Sequence, residues 1–564
     1  MSSFYDDASL VVIPSGYKTS KVYAEKPTDG SGDLAFTRTG DTATRVNSAG
    51  LVEKVRTNLL TYSQDFSNAA WLIGSGQTKT VSQTDPNGGT TAVLISNVSE
   101  ANGYLSQAIT LTANVPNTFS IYIKGSSSGS VSIRLDDSGA GPQFDINYTT
   151  SWQRFSVTRT VNQSSCFLTV GGYSTWAIGE NIQFAFAQVE TSDVATAYIP
   201  TTTAAVSVGP VANVPRLDYL GSTCGKLLLE PQRTNLVTYS EQINTGFITA
   251  QGGTGLLPVI TANNAISPDG YQNADTIVFN AGAGTTASDQ SAIYQVFGGT
   301  TATYTCSFYA KTPSGTAQIQ VRIDGGNYEK FTITNEWQRF TLTRALTGTS
   351  NALDFVIRRG LNEPMNASAT IQLWGCQVEL GAYATSYIPT LAASATRGAD
   401  QASKTGISSL IGQQEGVWYW EGNLPQVSEN GAASSVGLIN TARNVNVNTA
   451  ISFQYSVGTS TISTAFWVGD GTFTPVVDLL LSGYAAGSYV KVAFAYKSGS
   501  FAAYVNGALI QSSSNTFTST TTMSEIYYHD NTVYYSYTGQ QKVSQSLLFK
   551  TRLTNSELAE LTSL

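Results

Sequence analysis

Apolar and polar residues alternate along most of this chain. Val131, Ile133 and Leu135 are separated by Ser132 and Arg134, Ile319, Val321 and Ile323 by Gln320 and Arg322, and Phe119, Ile121 and Ile123 by Ser120 and Tyr122. A period of two with one polar face predicts antiparallel sheets half-buried on a core. Short runs of this kind between Gly, Asn and Ser clusters predict β-sandwiches or jelly rolls, so the fold class is all-β. Near the C-terminus two such runs flank Asn506-Gly507. That dipeptide accepts the two positive φ angles of a type I′ turn and predicts a hairpin. One short terminal helix is expected over 555–562. Thr554 is its N-cap, Glu557 completes a capping box, and Leu553 and Leu558 form a hydrophobic staple.

The pattern is written twice. Arg56-Thr57-Asn58-Leu59-Leu60-Thr61-Tyr62-Ser63 returns 177 residues later as Arg233-Thr234-Asn235-Leu236-Val237-Thr238-Tyr239-Ser240. Trp152-Gln153-Arg154-Phe155 returns as Trp337-Gln338-Arg339-Phe340, and Arg134-Leu135-Asp136 as Arg322-Ile323-Asp324. Gln188-Val189-Glu190 and Tyr198-Ile199-Pro200-Thr201 return as Gln377-Val378-Glu379 and Tyr387-Ile388-Pro389-Thr390. These landmarks divide the chain into a segment 1–55, a β-sandwich module 56–200, a connector 201–232, a second copy 233–390, a connector 391–414 and a different β-sandwich 415–564. Each repeat is expected to hold eight or nine strands. The first 55 residues are too loop-rich to enclose a core and are expected to dock on another protein or a neighbouring subunit. Duplicated modules suit binding or structural work, because two copies of one surface raise avidity without a new contact.

Composition narrows the chemistry. Charged residues are 12% of the 564, about half the usual share, while Tyr reaches 29. A polar, uncharged, tyrosine-rich surface suits neutral hydrogen-bonding partners such as sugars. The net charge of −8 and the lack of a Lys/Arg cluster exclude a nucleic-acid partner. No apolar run is long enough to span a membrane, and the acidic start lacks the apolar run of a signal peptide. The single histidine, His529, leaves little room for imidazole-based catalysis or metal binding. No catalytic residue, metal ligand or cofactor is assigned; a structural calcium stays open without an acidic loop to support it. None of the four cysteines forms a Cys-x-x-Cys pair. Cys306 and Cys376 stand where the first copy has Phe119 and Ala187, which reads as core filling, with a Cys306–Cys376 disulfide as the alternative.

The Arg-Thr-Asn-Leu opening, the Trp-Gln-Arg-Phe strand and the Gln-Val-Glu…Tyr-Ile-Pro-Thr close resemble a module of tail-fibre, spike and head-fibre proteins of tailed bacteriophages. Ile13-Pro14-Ser15-Gly16-Tyr17-Lys18 and Ala43-Thr44-Arg45-Val46-Asn47 resemble the leader of such proteins. The repeats are similar to carbohydrate-binding jelly rolls. Residues 415–564 are similar to a laminin-G or concanavalin-type sandwich, through Val492-Ala493-Phe494-Ala495-Tyr496, the Tyr504-Val505-Asn506-Gly507 hairpin and Leu547-Leu548-Phe549. The resemblance implies a non-enzymatic protein on the exterior of the virion, attached to other virion proteins through 1–55. It implies a homotrimer that recognises a host-surface glycan. The alternatives are a purely structural collar or capsid-decoration protein and, third, a glycan depolymerase, which needs a carboxylate pair.

Two groups of candidate ligand residues follow. One is the aromatic cluster Tyr527, Tyr528, Tyr534, Tyr535 and Tyr537 around Asp530-Asn531, whose flat faces and hydroxyl-pairing groups suit a sugar ring. Packing of this hairpin against a neighbouring subunit is the plainer reading. The other is Arg134 with Asp136 and Arg322 with Asp324. Each pair is i, i+2 on one strand face and could clamp a ligand hydroxyl or form only a surface ion pair. Trp152 and Trp337 read as strand anchors or stacking platforms, and Glu190 and Glu379 as fasteners of each exit strand.

Overall fold

Strand pairing assembles the chain into three antiparallel β-sandwiches. The computed structural model of the protein describes residues 2–137, 141–172, 176–348, 350–360, 365–426, 433–439, 449–456, 461–468, 475–519, 521–529 and 539–563.

The two repeats share one topology. In module 1 the first sheet runs Gln153–Thr160, Pro116–Gly125, Asn181–Glu190, Ala92–Asn97, Gln77–Gln83. The second runs Phe144–Tyr148, Gly129–Asp137, Ser165–Gly171, Tyr104–Thr110, Leu72–Ile73. In module 2 the corresponding orders are Gln338–Leu346, Ala302–Lys311, Ser368–Leu380, Ala274–Asn280, Leu256–Ala265, and Glu329–Ile333, Ala317–Arg322, Ser350–Arg358, Gln290–Gly298, Ile248–Gly252. Each module therefore has two five-stranded sheets, a little more than the eight or nine strands expected. Trp152 and Trp337 precede the same strand. The alternating residues Val131, Ile133 and Leu135, and their partners Ile319, Val321 and Ile323, all point into the cores. Each module is closed by a clasp beyond the expected boundary. Arg56–Asn58 pairs with Val206–Val208, and Arg233–Asn235 with Ala395–Arg397.

The third sandwich is built from three separate stretches of chain. Its smaller sheet runs Arg216–Asp218, Lys226–Leu229, Gln540–Phe549, Glu415–Gln426, Tyr489–Lys497, Phe501–Val505, Ala508–Ser513. Leu10–Val12 also pairs with Gln540–Phe549, end to end with Lys226–Leu229. The larger sheet has nine strands and begins with Tyr17–Lys18, Lys21–Val22, Leu34–Thr37 and Gln401–Thr405. Leu10, Val12, Val22, Leu34 and Phe36 are all fully buried in the shared core with Leu227, Leu229, Trp418 and Phe494. Residues 1–55, expected to dock on another protein or a neighbouring subunit, thus pack against the C-terminal sandwich of their own chain. Their apolar strands fill an open edge and a core that the C-terminal stretch lacks by itself. Both connectors likewise supply strands to this sandwich, and the two modules are insertions between its strands.

The local expectations near the C-terminus hold. Asn506 and Gly507 have φ of 47° and 87°, as the I′ turn requires. The helix spans Asn555–Ser563. Glu557 accepts from the Thr554 amide at 2.7 Å, and the Glu557 amide donates to Thr554 Oγ1 at 3.3 Å. Leu558 and Leu561 pack with Phe4 and Ala8 on the outer face of the smaller sheet. The short helix Ser2–Asp7 thus shares that surface. All four cysteines are free; Cys306 and Cys376 are buried core residues of module 2.

Where these parts meet lies a fully buried ionic hub. Arg38, Arg216 and Arg397 surround Glu230 and Asp400, all with side chains at 0% exposure. Arg38 Nη1 lies 3.1 Å from Asp400 Oδ1, and Arg216 Nη1 lies 2.7 Å from Glu230 Oε2. Arg397 Nη1 is 3.0 Å from the same Glu230 oxygen, and Arg216 Nη2 binds Asp400. Burial alone would push Glu230 up. Arg397 and Arg216 outweigh it and hold the carboxyl well below its ordinary range. Burial pulls Arg38 down to about 10, still protonated at neutral pH.

Glu230→Gln leaves three buried guanidiniums facing one carboxylate. The expected loss is about 3–5 kcal/mol of unfolding free energy at pH 7, read from denaturant titration. Glu230 has a folded pKa below its unfolded value, so its stabilisation is present above roughly pH 4.3 and is lost as pH falls through the folded value. The deficit of the variant should therefore be full at pH 7 and shrink in acid; a deficit independent of pH would contradict this account.

Deleting residues 1–37 removes five fully buried apolar side chains, each contributing roughly 1.5–3 kcal/mol. That sum is comparable to a whole domain's stability of about 5–15 kcal/mol. The truncated chain should lose the cooperative unfolding transition of the C-terminal sandwich and become protease-sensitive within 415–564. A truncated chain that keeps that transition would show the segment to be dispensable.

Candidate functional site

Most of the repeated landmarks are fasteners. Asn58 Oδ1 accepts the amides of Leu60 and Val189, and its Nδ2 donates to the carbonyls of Ala187 and Ile199. Asn235 makes the same four contacts to Val237, Val378, Cys376 and Ile388. The Ser63 and Tyr198 hydroxyls meet at 2.6 Å, as do those of Ser240 and Tyr387. Glu190 accepts the Thr196 amide at 2.9 Å and Glu379 the Thr385 amide at 2.8 Å, which confirms both as strand fasteners. Trp152 and Trp337, half-buried just before their strands, have the Lys124 and Lys311 ammoniums 5.0 and 5.3 Å from their ring centroids.

Tyr527 and Tyr528 are corrected as ligand residues. Their strand, Glu525–His529, lies inside the nine-stranded sheet between Gln401–Thr405 and Ala433–Ile439. Tyr528 is in the main core and Tyr527 packs with Ala450, Ala465 and Trp467, so neither ring offers a free face. Asp530, Asn531, Tyr534, Tyr535 and Tyr537 lie outside the described residues.

The two arginines are placed differently. Each sits on the outer face of its module's second sheet, opposite the core residues, and heads a row across four strands. In module 1 the register aligns Arg134, Thr169, Ser106 and Leu72. In module 2 it aligns Arg322, Asp354, Tyr294 and Ile248. Four strands span roughly 14 Å. Both rows run from a guanidinium to an exposed aliphatic side chain.

Their chemistry diverges between the ends. In module 1, Arg134, Thr169 and Ser106 are buried, and Asp136 lies beside Arg134 on the same strand, Oδ2 to Nε 3.5 Å. Asp136 also accepts the Gly141 amide at 2.9 Å. The same-strand pair expected in module 1 therefore forms, but as a buried one. In module 2 the strand ends at Arg322, and Asp324 turns away to accept the Gly326 amide at 3.2 Å. The expected Arg322–Asp324 pair is replaced by a cross-strand one. Arg322 Nε and Nη2 both lie 3.0 Å from Asp354 Oδ2, and Tyr328 donates to the same oxygen at 3.0 Å. The Arg322 guanidinium stacks 4.4 Å over the Tyr328 ring.

Asp354 is 6% exposed, and its Oδ1 has no hydrogen-bond partner. Burial raises Asp354 against the pull of Arg322. Burial and the Asp354 charge push Tyr328 up to about 12. Tyr294 and Arg322 remain half-exposed beside this carboxylate. The row thus offers a half-exposed cation and two aromatic rings, with a buried carboxylate holding the cation in place. Asp354, Tyr294 and Tyr328 escaped the sequence reading; Tyr328 lies six residues past Arg322, but Asp354 is linked to it only by cross-strand register.

A concave feature lies where the modules meet. A cavity of about 370 Å³ is lined by Lys54 and Thr57, by the Glu190–Asp193 turn of module 1, and by Glu241, Gln242 and Leu391 of module 2. Lys54 Nζ lies 2.5 Å from Glu241 Oε2 and 3.2 Å from Asp269 Oδ2. Burial raises Glu241 to about 7 despite Lys54. Among the described residues no group of three or more His, Cys, Asp or Glu is arranged to hold a metal, and no helix is long and apolar enough to cross a membrane.

No protein-family model and no curated protein sequence matches the chain. Several solved structures are similar over parts of it. The tandem CBM22 domain of Paenibacillus barcinonensis Xyn10C is 12% identical, covers 57% of this chain and 97% of its own, and has a TM-score of 0.24. Domain 4 of AbnA, a GH43 extracellular arabinanase of Geobacillus stearothermophilus solved with arabinotriose, is 16% identical over 29% of this chain and 73% of its own, with a TM-score of 0.21. Trypanosoma rangeli sialidase with the inhibitor DANA is 10% identical over 93% of this chain and 98% of its own, with a TM-score of 0.23. At these TM-scores the likenesses carry no argument about what the chain does; its all-β sandwich architecture rests on its own strand pairing.

Proposed function

We propose that this chain is a non-enzymatic glycan-binding protein of the virion exterior, and that the outer face of module 2 is its glycan site. The observation that carries the site is the Arg322–Asp354–Tyr328 cluster, with the half-exposed Arg322 guanidinium stacked on Tyr328 and the half-exposed Tyr294 ring beside it. A sugar presents hydroxyl donors and acceptors around an apolar ring face. Guanidinium and carboxylate groups pair with the former, and tyrosine rings cover the latter. The row crosses four strands, which suits an extended chain of sugar units more than a single ring. The virion setting and a trimeric assembly rest on the resemblance of the repeated landmarks to phage fibre and spike modules. Trimerisation would multiply a weak site by avidity.

A glycan array probed with the full chain tests this reading. Wild type should bind a neutral or mildly charged glycan class. Arg322→Ala should weaken binding about tenfold to a hundredfold, the value of a charge-assisted hydrogen bond. Tyr294→Ala should weaken it as well. Arg134→Ala, in the closed counterpart row, should leave binding unchanged in every variant whose thermal transition matches wild type. If folded Arg322→Ala and Tyr294→Ala both bind like wild type, or wild type binds no glycan, the proposed site is wrong.

A further inference from the structure

The joint that docks module 2 on the rest of the chain holds more carboxylates than cations. The hairpin of Thr44–Val46 and Val52–Lys54 brings Lys54. Module 2 brings Glu241 and Asp269, with side chains 9% and 2% exposed, and the Lys54 ammonium lies against both. Asp193, in the exit turn of module 1, faces the same ammonium and is raised by its burial. Asp275 of module 2 is raised to about 6 by burial and accepts the amides of Asn263 and Asn244. Arg56 lines the same cavity as Lys54 and Glu241 and donates to the Tyr271 hydroxyl. Like charges that share one buried ammonium oppose each other's ionisation, so a proton is retained on one of them.

The hydrogen bonds select the carboxyl that takes it. Asp269 accepts from the Ser267 hydroxyl, the Tyr271 amide and the Asn273 side chain, a set that suits the ionised form. Glu241 Oε2 accepts from Lys54 and Asn273, while Oε1 lies 3.1 Å from the Tyr387 hydroxyl. That hydroxyl is also 2.6 Å from Ser240 Oγ, which lies 3.4 Å from the Thr390 carbonyl. This row of hydroxyls can point either way. With Glu241 ionised, Tyr387 donates to it and Ser240 donates to Tyr387. With Glu241 protonated, Glu241 donates to Tyr387, Tyr387 to Ser240, and Ser240 to the Thr390 carbonyl. No hydrogen bond is lost in the reversal. Module 1 shows that the framework accepts the neutral form. It has Gln64 in place of Glu241, and Pro86-Asn87-Gly88 in place of Pro268-Asp269-Gly270.

We propose that a proton held by Glu241 clamps module 2 to the hairpin 44–54, and that the clamp loosens as this proton leaves near neutral pH. With the proton in place, Lys54 and Asp269 form a balanced pair. Without it the joint carries additional buried negative charge. Burial raises Glu241 to about 7 in the docked joint, against roughly 4.3 when exposed. A docked value above the exposed one means that the stabilisation is whole below roughly pH 4.3 and is lost as pH rises through about 7.

The test is hydrogen exchange in the full chain at the Val52 amide. This amide donates to the Pro268 carbonyl at 2.9 Å and reports when the hairpin lifts off module 2. Glu241→Gln carries the neutral form at every pH. The ratio of Val52 opening in wild type to that in Glu241→Gln should rise about tenfold between pH 5 and pH 8. A protonated-carboxyl infrared band should be present in wild type at pH 6, vanish by pH 8.5 and be missing from Glu241→Gln. Wild type alone gives a measurement that needs no variant to fold. Over the same interval Val52 opening should rise relative to that of Val11, a frame amide bonded to the Lys26 carbonyl. Either Val52 ratio staying constant or falling from pH 5 to pH 8 would make Glu241 an ordinary ionised partner of Lys54 and overturn the proposal. A carboxyl band at pH 6 that is the same in Glu241→Gln as in wild type would overturn it too.

Discussion

Three guanidiniums and two carboxylates, sealed from water, hold this molecule together. Arg38 comes from the N-terminal segment, Arg216 and Glu230 from the first connector, and Arg397 and Asp400 from the segment leaving module 2. Burying such groups is expensive, and well-packed apolar side chains could replace them without loss of stability. What the hub supplies is specificity. A guanidinium has fixed donor directions, and Arg38 Nη1 and Nη2 also donate to the carbonyls of Pro210, Val211 and Val214. Arg397 reaches the Pro231 carbonyl and Arg216 that of Thr44. The hub thus ties together three segments far apart in sequence at the place where the modules leave and rejoin the large sandwich.

That sandwich is the frame, and the repeats are its excursions. Its closing strand, Gln540–Phe549, pairs with Leu10–Val12 and with Lys226–Leu229. The core therefore cannot close until the end of the chain is present, a topology of high contact order. The clasps Arg56–Asn58 with Val206–Val208 and Arg233–Asn235 with Ala395–Arg397 let each module close on itself first. The frame also sets the seam. The hairpin formed by Thr44–Val46 and Val52–Lys54 leaves the frame and lays Val52 against Trp374 and Tyr387 of module 2.

The sequence revealed whatever is local or repeated. Period-two alternation located the inward residues of both modules, Asn506-Gly507 its hairpin, and Thr554 with Glu557 its helix. Residues 1–55 misled because composition reports whether a segment can fold alone, not whether it completes a distant core. Leu10, Val12 and Phe36 sit in a loop-rich leader, and core partners such as Trp418 and Leu548 lie hundreds of residues away. The tyrosine cluster misled for a related reason. Tyr527 and Tyr528 are adjacent and point to opposite faces of a central strand, where both faces are covered. The Arg322–Asp354 pair was hidden because Asp324 sits at the spacing an uninterrupted strand would need, and the strand ends two residues before it.

Duplication explains why the strongest motifs are the least informative about function. Asn58 and Asn235, Ser63 and Ser240, Glu190 and Glu379 recur because every copy must be fastened in the same way, whatever its surface does. The positions free to differ are those facing outward between the fasteners. Along the transverse row Thr169 and Ser106 stand where module 2 has Asp354 and Tyr294. Small hydroxyl side chains let Arg134 settle into a closed surface beside Asp136. A carboxylate and a ring at the same places hold Arg322 higher and half-exposed, stacked on Tyr328. One framework and one arginine thus yield a closed face and an open face.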